Sequence, residues 1–302
     1  MTTVVNLNGA LVPPDQAKIS VFDRGFLYGD SVYEVIRTYR RRLFELELHL
    51  SRLRRSARRL ALPLPWDEDR SRREILRTLS ATGEAASDAD AAPWNVGEVS
   101  LRVIMTRGAG ELGLDPALAV DPVAIVISGP LRGPAHRSYR EGVACRIVGV
   151  RHDAPEAADT TAKTGAHLSN VLALAEARRA GAHEALLLDR DGLVTEGASS
   201  NVFAVREGRL ETPPLAIGIL EGVTRGIVMA LARAEGIEVR EAPLRPEALA
   251  VAEELFITST AREILPVTSL DGVAVGSGRV GEMTTRLHGF FRARADRECG
   301  AR

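Results

Sequence analysis

Lys163 is the residue that the composition singles out for chemistry. The chain contains 39 lysine and arginine residues, and all of them except Lys18 and Lys163 are arginine. An arginine stays protonated at any usable pH, whereas a lysine amine can lose its proton and attack a carbonyl group to form an imine. Lys163 lies in the small, polar segment 161–165, which leaves room for an adduct beside the amine. Lys163 is therefore a candidate nucleophile; the alternative is a lysine retained by chance, as Lys18 can be.

Three other segments carry groups that would complement such an amine. Glu196 ends a predicted strand and is followed by four small residues and Asn201, although a glutamate before glycine is often only a turn residue. Gly222-Val-Thr224 begins a predicted helix whose free N–H groups favour an anion, the alternative being an ordinary helix cap. The hydroxyl-rich turn 258–260 and Arg52 could serve the same anion. An imine-forming lysine, a carboxylate and a phosphate site are the parts that a pyridoxal 5′-phosphate enzyme needs.

Other chemistries find little support in the sequence. The segment 108–113 matches the dinucleotide fingerprint G-x-G-x-x-G, but Asp115-Pro116 and Asp121-Pro122 prevent the helix that this fingerprint requires. We therefore predict a flexible loop there, which is a candidate lid over the substrate. The histidines are dispersed and no metal-binding motif is present, so we expect no metal.

The charge and the cysteine content limit which partners and which cellular compartment we expect. The 39 basic and 40 acidic residues nearly cancel, so no global field would attract nucleic acid or an acidic membrane. The arginine-rich run 52–59 carries apolar residues at helical spacing, which indicates an amphipathic helix with a solvated face. Two distant cysteines, and no signal-peptide or membrane-spanning pattern, predict a cytoplasmic protein.

Periodicity predicts the elements that must position these residues. Strands are predicted at 3–12 (a hairpin about Asn8-Gly9), 19–22, 31–39, 43–45, 98–106, 122–128, 142–151, 184–188, 193–196, 201–205 and 254–258. Helices are predicted at 46–60, 71–80, 168–180, 222–235 and 281–294; in the third, Leu168, Val171, Leu172 and Ala175 share a face. Residues 83–97 lack periodicity and predict a surface insertion. Residues 1–128 and 141–302 are predicted to be two domains joined by a linker at 129–140.

In six motifs that follow one another in order, the chain resembles the class IV aminotransferases, the PLP fold type IV family, and most of all the branched-chain enzymes. The motifs are Ser20-Val-Phe-Asp-Arg-Gly-Phe-Leu-Tyr-Gly-Asp-Ser-Val-Tyr-Glu, His49-Leu-Ser-Arg52-Leu, Lys163, Glu196-Gly-Ala-Ser-Ser-Asn-Val-Phe, Gly222-Val-Thr-Arg and Ser259-Thr-Ala-Arg-Glu-Ile-Leu-Pro. The resemblance implies an α/β (α+β) fold with a small N-terminal domain and a larger β-barrel-like domain. It also implies a homodimer, because the sites of this family lie between domains and borrow a loop from the partner subunit.

Site residues follow from the resemblance position by position. Lys163 matches the Schiff-base lysine, which also moves the substrate proton, and Glu196 matches the carboxylate that keeps the pyridine nitrogen protonated. The resemblance implies a phosphate cup and a ring-packing residue formed by Arg52, Val223, Thr224, Thr260 and Leu220. It places Tyr28, Tyr33, Arg102, Ser259 and Ala261 on the substrate side. His167 stands where branched-chain enzymes carry a tyrosine that contacts the cofactor's phenolic oxygen, and its protonation near neutral pH would make such a contact pH-dependent.

The resemblance implies transfer of an amino group between an apolar, branched-chain L-amino acid and 2-oxoglutarate. The segments 102–116 and 260–266 are similar to branched-chain enzymes of the archaeal type, whereas Val35 and the doubled serine Ser199-Ser200 look more like the D-amino acid enzymes. The alternatives are therefore a D-amino acid or (R)-amine transaminase and, in another class, a lyase that releases pyruvate from aminodeoxychorismate. A non-catalytic PLP carrier is disfavoured because Lys163 and Glu196 are both present.

Overall fold

The computed structural model describes residues 3–83, 90–151 and 161–300. Part of the predicted insertion at 83–97, residues 84–89, lies outside this range. The described residues fall into two units, one comprising residues up to Arg132 with Ala162–His167, and the other comprising Gly133–Thr161 with Leu168–Arg302. The sequence-based domain limits, 1–128 and 141–302, stay predictions.

The described part of the first unit is a six-stranded antiparallel sheet with helices packed on it. Its strands and helices are β1 Val4–Leu7, β2 Ala10–Val12, α1 Arg24–Tyr28, β3 Ser31–Tyr39, β4 Arg42–Leu43, α2 Leu46–Arg59, α3 Glu68–Ala81, β5 Val99–Thr106 and β6 Val123–Pro130. The strand order is β2-β1-β6-β5-β3-β4. Val32 and Ile36 of β3 pack with Leu53 of α2 and Ile75 of α3 in the core, so α2 and α3 cover one face of the sheet.

The described part of the second unit is a mixed sheet of nine strands with helices around it. Its elements are α4 His136–Glu141, β7 Val143–Arg151, α5 Leu168–Arg179, β8 Glu184–Leu188, β9 Val194–Gly197, β10 Asn201–Arg206, β11 Arg209–Thr212, α6 Val223–Ala234, β12 Val239–Glu241, α7 Pro246–Ala250, β13 Glu254–Ser259, β14 Glu263–Leu270, β15 Val273–Ala274 and α8 Glu282–Cys299. The order is β12-β11-β10-β13-β14-β7-β8-β9, with β15 on β14. A bridge between Gly197 and Ser200 joins the end of β9 to the start of β10, so the sheet curls.

Most predicted elements are confirmed, some of them to the residue. Strands predicted at 31–39 and 184–188 are β3 and β8 with the same bounds. The strand predicted at 19–22 is wrong, because Ile19 and Phe22 are exposed and the chain there forms no strand. Asp23 instead caps helix α1 by accepting the Gly25 N–H at 2.8 Å, so part of the predicted loop before β3 is helical.

Helix α5 is confirmed as a helix, but its apolar face lies on the surface of its unit. Leu168, Val171 and Leu172 are exposed, whereas Ala173 and Ala177 are buried against the sheet. The small alanine side chains let the helix approach the strands closely, and the larger residues lie on the opposite side. Periodicity predicted the helix but not the face that it buries.

The free energy of unfolding is expected to fall as the pH is lowered from 6.5 to 4. Burial, with the Arg262 and Arg178 guanidinium groups nearby, lowers the pKa of His183 from 6.5 to about 4. The unfolded chain therefore takes up a proton near pH 6.5 that the folded chain resists until about pH 4. Urea unfolding at pH 7 and pH 4.5 should show a smaller pH-dependent loss for His183→Gln than for wild type. Equal losses in the two proteins would contradict this role of His183.

Candidate active site

Backbone hydrogen bonds hold the Lys163 segment against strand β3 and helix α2. The Tyr33 N–H donates to the Lys163 carbonyl oxygen, and the Gly165 N–H donates to the Ser31 carbonyl oxygen, both at 3.0 Å. The Lys163 N–H donates to Ser56 Oγ of α2 at 3.0 Å. A Cβ atom at Gly165 would lie 2.2 Å from Ser31 Oγ, so a larger residue there would force the Ser31 side chain to move. The main chain on both sides of the amine is thereby fixed.

Three other predicted site residues, Lys163, Arg102 and His167, lie next to the Tyr33 ring. Lys163 Nζ lies 4.4 Å from the ring centroid, and the Arg102 guanidinium carbon lies 4.8 Å from it. The His167 ring meets the Tyr33 ring edge-on, with centroids 5.0 Å apart. An aromatic face attracts cations through its quadrupole, so Tyr33 orients both the amine and the guanidinium group.

A buried ion cluster fixes Arg52, the predicted phosphate ligand of α2. Arg52 Nε and Nη2 donate to the two Glu34 carboxylate oxygens, each at 2.7 Å. His49 Nδ1 lies 2.8 Å from Glu34 Oε2. All three side chains are almost fully buried. Because a forked guanidinium–carboxylate pair restrains rotation of both groups, Glu34 sets the orientation of Arg52.

The pKa values of this cluster keep Glu34 ionised and His49 neutral near pH 7. Burial by itself would raise the pKa of Glu34, but the charge of Arg52 and hydrogen bonds from Arg52 and His49 hold it at about 2. Burial lowers the pKa of His49 below 6.5, against the opposing effect of Glu34. The cluster thus carries one negative and one positive charge.

Tyr28 contacts the loop that the sequence predicts as a lid. The Gly113 N–H donates to the Tyr28 hydroxyl oxygen at 3.3 Å. Arg24 donates to the carbonyl oxygens of Gly113 and Leu114 at 2.7 and 3.1 Å and lies over the Tyr28 ring. Helix α1 therefore anchors this part of the loop.

In the second unit, Glu196 is tied to the segment that leads into helix α6. Its Oε2 accepts hydrogen bonds from Asn201 Nδ2 at 3.2 Å and from the Leu220 N–H at 3.1 Å. Asn201 Nδ2 also donates to the Leu220 carbonyl oxygen at 3.0 Å. The carboxylate at the end of β9, the amide of β10 and the chain before α6 therefore form one bonded group.

Helix α6 begins with an arrangement suited to a phosphate. Gly222 occupies the N-cap position and has no side chain with which to cap the helix. The N–H groups of Val223 and Thr224 lie in the first turn, where a helix offers no partners of its own. A Cβ atom on Gly222 would lie 2.0 Å from Asn201 Oδ1, so glycine is needed for this packing. The free N–H groups and the helix dipole together favour an anion.

Ser259 is the last residue of β13, and Thr260 and Ala261 lie in the turn between β13 and β14. Thr258, the preceding residue, is buried, and its Oγ1 makes no hydrogen bond to any described residue. Each unit carries groups of the kinds that PLP requires: the first has a lysine amine, and the second has a carboxylate, a helix N-terminus and a hydroxyl-rich turn. The donor set therefore fits this cofactor.

Comparison with known proteins agrees with this donor set. Residues 31–270 match the family model described as Amino-transferase class IV. The chain belongs to this family. It is a PLP-dependent aminotransferase, and the predicted cofactor and fold class, PLP fold type IV, are confirmed.

Individual relatives include enzymes with two substrate specificities. A putative branched-chain-amino-acid aminotransferase of Methanocaldococcus jannaschii is 39% identical, with 95% of each chain covered. A D-alanine aminotransferase of Bacillus licheniformis is 33% identical, with 94% of each chain covered. The crystal structure of the Escherichia coli branched-chain amino acid aminotransferase superposes with a TM-score of 0.86 at 32% identity, covering 97% of this chain and 94% of that one.

Metal and membrane sites find no support in the described residues. Within 3–83, 90–151 and 161–300, no group of three or more His, Cys, Asp or Glu side chains is placed to hold a metal ion. Over the same ranges, none of the helices combines the length and the apolar character of a membrane span.

Sequence analysis missed Glu34 and His49, although both lie inside the motifs that carry the family resemblance. Two signals were available. Glu34 is an acid in the middle of an apolar strand, and a buried carboxylate must be paired. His49 and Arg52 are three residues apart on α2 and therefore share a face.

Replacing Glu34 with glutamine is expected to cost about 3–5 kcal/mol of unfolding free energy, because the buried Arg52 charge loses its partner. The charge of Glu34 contributes fully above pH 4.5 and is lost as the pH falls toward 2, so the difference from wild type narrows over that range. The matched control is Glu47→Gln, because Glu47 is exposed and pairs with Arg72 in the same forked geometry; its cost should stay within about 1 kcal/mol. Equal costs in urea unfolding at pH 7 would refute the importance of the buried pair.

Proposed function

We propose that the enzyme transfers an amino group between an apolar, branched-chain L-amino acid and 2-oxoglutarate. The observation that carries the proposal is the position of the Lys163 amine against the Tyr33 ring, with the Arg102 guanidinium on the same ring. This arrangement combines a nucleophile, an aromatic wall and a cation. The similarity to the Escherichia coli branched-chain amino acid aminotransferase supports the choice of donor.

Cofactor-binding roles are proposed from the family resemblance and the donor chemistry. Lys163 Nζ would hold the cofactor covalently, and Glu196 would pair with its ring nitrogen. The Val223 and Thr224 N–H groups, Arg52 and Thr260 would bind its phosphate, with Leu220 packed against its ring. His167, held edge-on by Tyr33, would donate to its phenolic oxygen.

Bound PLP supplies an aldehyde that takes up the amino group and a ring that accepts the electron pair left on the substrate carbon. Lys163 Nζ, released when the substrate amino group takes its place, would accept the proton from the substrate Cα as a free, unprotonated amine. It would then pass that proton to the carbon that had carried the aldehyde. Glu196 keeps a proton on the ring nitrogen, because an ionised carboxylate stabilises the positive charge there.

Substrate selection is assigned to residues on β3, β5 and the β13–β14 turn. Tyr33 would contact the apolar side chain of the donor, and Arg102 would attract a carboxylate of either substrate. Ser259 at the end of β13 and Ala261 in the β13–β14 turn flank Thr260, and Tyr28 lies beside the 108–113 loop. These five residues are proposed as the substrate site. The homodimer and the cytoplasmic location also stay proposals.

A D-amino acid transaminase is the second candidate, since the Bacillus licheniformis relative is a D-alanine aminotransferase. A donor screen separates the two. With 2-oxoglutarate as acceptor, L-leucine should give glutamate much faster than D-alanine or (R)-1-phenylethylamine. Turnover with D-alanine alone would refute the proposed specificity but not the amino transfer. Release of pyruvate from aminodeoxychorismate without an acceptor would indicate a lyase.

Changing Lys163 to arginine tests the chemical role of the amine. Arginine keeps a cation beside Tyr33 but cannot serve as a proton acceptor, so turnover should fall by at least about 10²-fold. Lys18→Arg is the matched control and should retain wild-type turnover. Activity in Lys163→Arg close to that of the control would show that only the charge is needed.

His167→Phe tests the contact proposed for the imidazole. Phenylalanine can keep the edge-on packing on Tyr33 while removing both ring nitrogens. The visible absorbance band of the bound cofactor, or the pH at which that band changes, should therefore shift. An unchanged spectrum between pH 5 and 9 would exclude a role for His167 at the cofactor.

A further inference from the structure

The doubled serine that follows Glu196 is bound to a fully buried carboxylate. Ser199 Oγ and Ser200 Oγ both donate to Glu184 Oε2, at 2.8 and 3.2 Å. Glu184 begins β8, and its other oxygen accepts the Ala185 N–H at 3.1 Å. A Cβ atom on Gly197 would lie 2.2 Å from Ser200 Oγ, so the turn is closed tightly around these contacts. Glu184 therefore fixes the turn between Glu196 and Asn201.

The same carboxylate is joined to the β13–β14 turn by Arg262. Arg262 Nη1 lies 3.3 Å from Glu184 Oε2 and donates to the Ser199 carbonyl oxygen and Oγ at 3.1 and 3.0 Å. Arg262 directly follows Thr260 and Ala261 in the chain. One guanidinium group thus links the turn that follows Glu196 to the turn next to the three proposed ligands at 259–261.

The next residue, Glu263, holds the β13–β14 turn from its other side. Glu263 is fully buried and contacts His288 Nε2 at 2.7 Å and Arg292 Nη1 at 3.1 Å, both from helix α8. Its φ angle is 57°, a left-handed conformation that glycine adopts more easily. The Tyr139 hydroxyl donates to the Arg262 carbonyl oxygen at 3.0 Å. The turn is therefore restrained at consecutive residues by side chains from separate elements.

We propose that Glu184 is a positioning residue for cofactor and substrate binding. Through Ser199 and Arg262 it holds the segment 259–261 in a fixed position relative to residues 196–201. Thr260 can then meet the phosphate, and Ser259 and Ala261 the substrate, without first being ordered. The inference rests on the proposed function, because it takes the roles of these turn residues from there.

The chemistry of the contacts explains why a carboxylate is needed at this place. One oxygen of Glu184 receives two hydroxyl groups and a guanidinium group, and only an anion attracts all three. A glutamine in its place presents a single carbonyl oxygen and no charge. The ion pair with Arg262 is therefore the contact that weakens most. The Glu196 contacts to Asn201 and Leu220 do not involve Glu184 and are retained.

The experiment compares Glu184→Gln, Ser199→Ala and wild type in PLP titrations of the apoprotein and in steady-state kinetics. A lost hydrogen bond to a charged group corresponds to a change of roughly tenfold. We expect the Kd for PLP and the KM for the amino donor each to rise by roughly that factor, with kcat little changed. Ser199 is exposed, so its substitution tests the link even where Glu184→Gln folds poorly.

The control is Glu254→Gln at the opposite end of β13. Glu254 caps helix α8 by accepting the Met283 and Thr284 N–H groups, so its loss should lower stability without altering Kd or KM. Wild-type affinity for PLP in both Glu184→Gln and Ser199→Ala, or an equal loss in Glu254→Gln, would overturn the positioning role. A wild-type protein that binds no PLP or transfers no amino group would instead refute the proposed function.

Discussion

The pairing of the Lys163 segment with strand β3 is the constraint on which the first unit's part of the site depends. Successive side chains of a strand point to opposite faces, so one register decides two environments. Tyr33 faces the amine, Arg102 and His167, while Glu34, the next residue, faces Arg52 and His49 of helix α2. A shift of one residue would exchange these two sets of contacts. The backbone hydrogen bonds that fix Lys163 therefore also place Tyr33 beside its amine and Glu34 beside Arg52 and His49.

Buried carboxylates organise the rest of the candidate site. Glu34, Glu184 and Glu263 are buried, and each contacts an arginine and at least one further polar group. A buried charge is tolerated only with such partners, and the partners are held in turn by the charge. These pairs explain a use for the chain's many arginines and few lysines. Arginine provides permanent charges for buried pairs, whereas the amine of Lys163 is kept for a task that requires a removable proton.

Local sequence patterns predicted helices and strands well, but they predicted the burial and the contacts of side chains poorly. The β-forming residues of 31–39 predicted β3, and the family motifs predicted Lys163 and the cofactor, because each signal lies within a few neighbouring residues. The strand at 19–22 was wrong, because a strand also needs a partner that its own sequence does not reveal. The apolar face of α5 was visible, but whether a face is buried depends on what packs against it. Glu34–Arg52 and Glu184–Arg262 join residues that are distant in sequence, and only the folded chain brings them together.

The central claim is that Lys163 is the amine that carries the cofactor. The scarcity of lysine makes this directly measurable, since Lys18 is the other lysine side chain available. Borohydride reduction of the PLP-loaded protein fixes the cofactor on the amine that holds it, and peptide mass spectrometry locates the added mass. The account predicts one phosphopyridoxyl group per chain, on the peptide that contains Lys163. Modification of Lys18 alone, or of neither lysine, would contradict it.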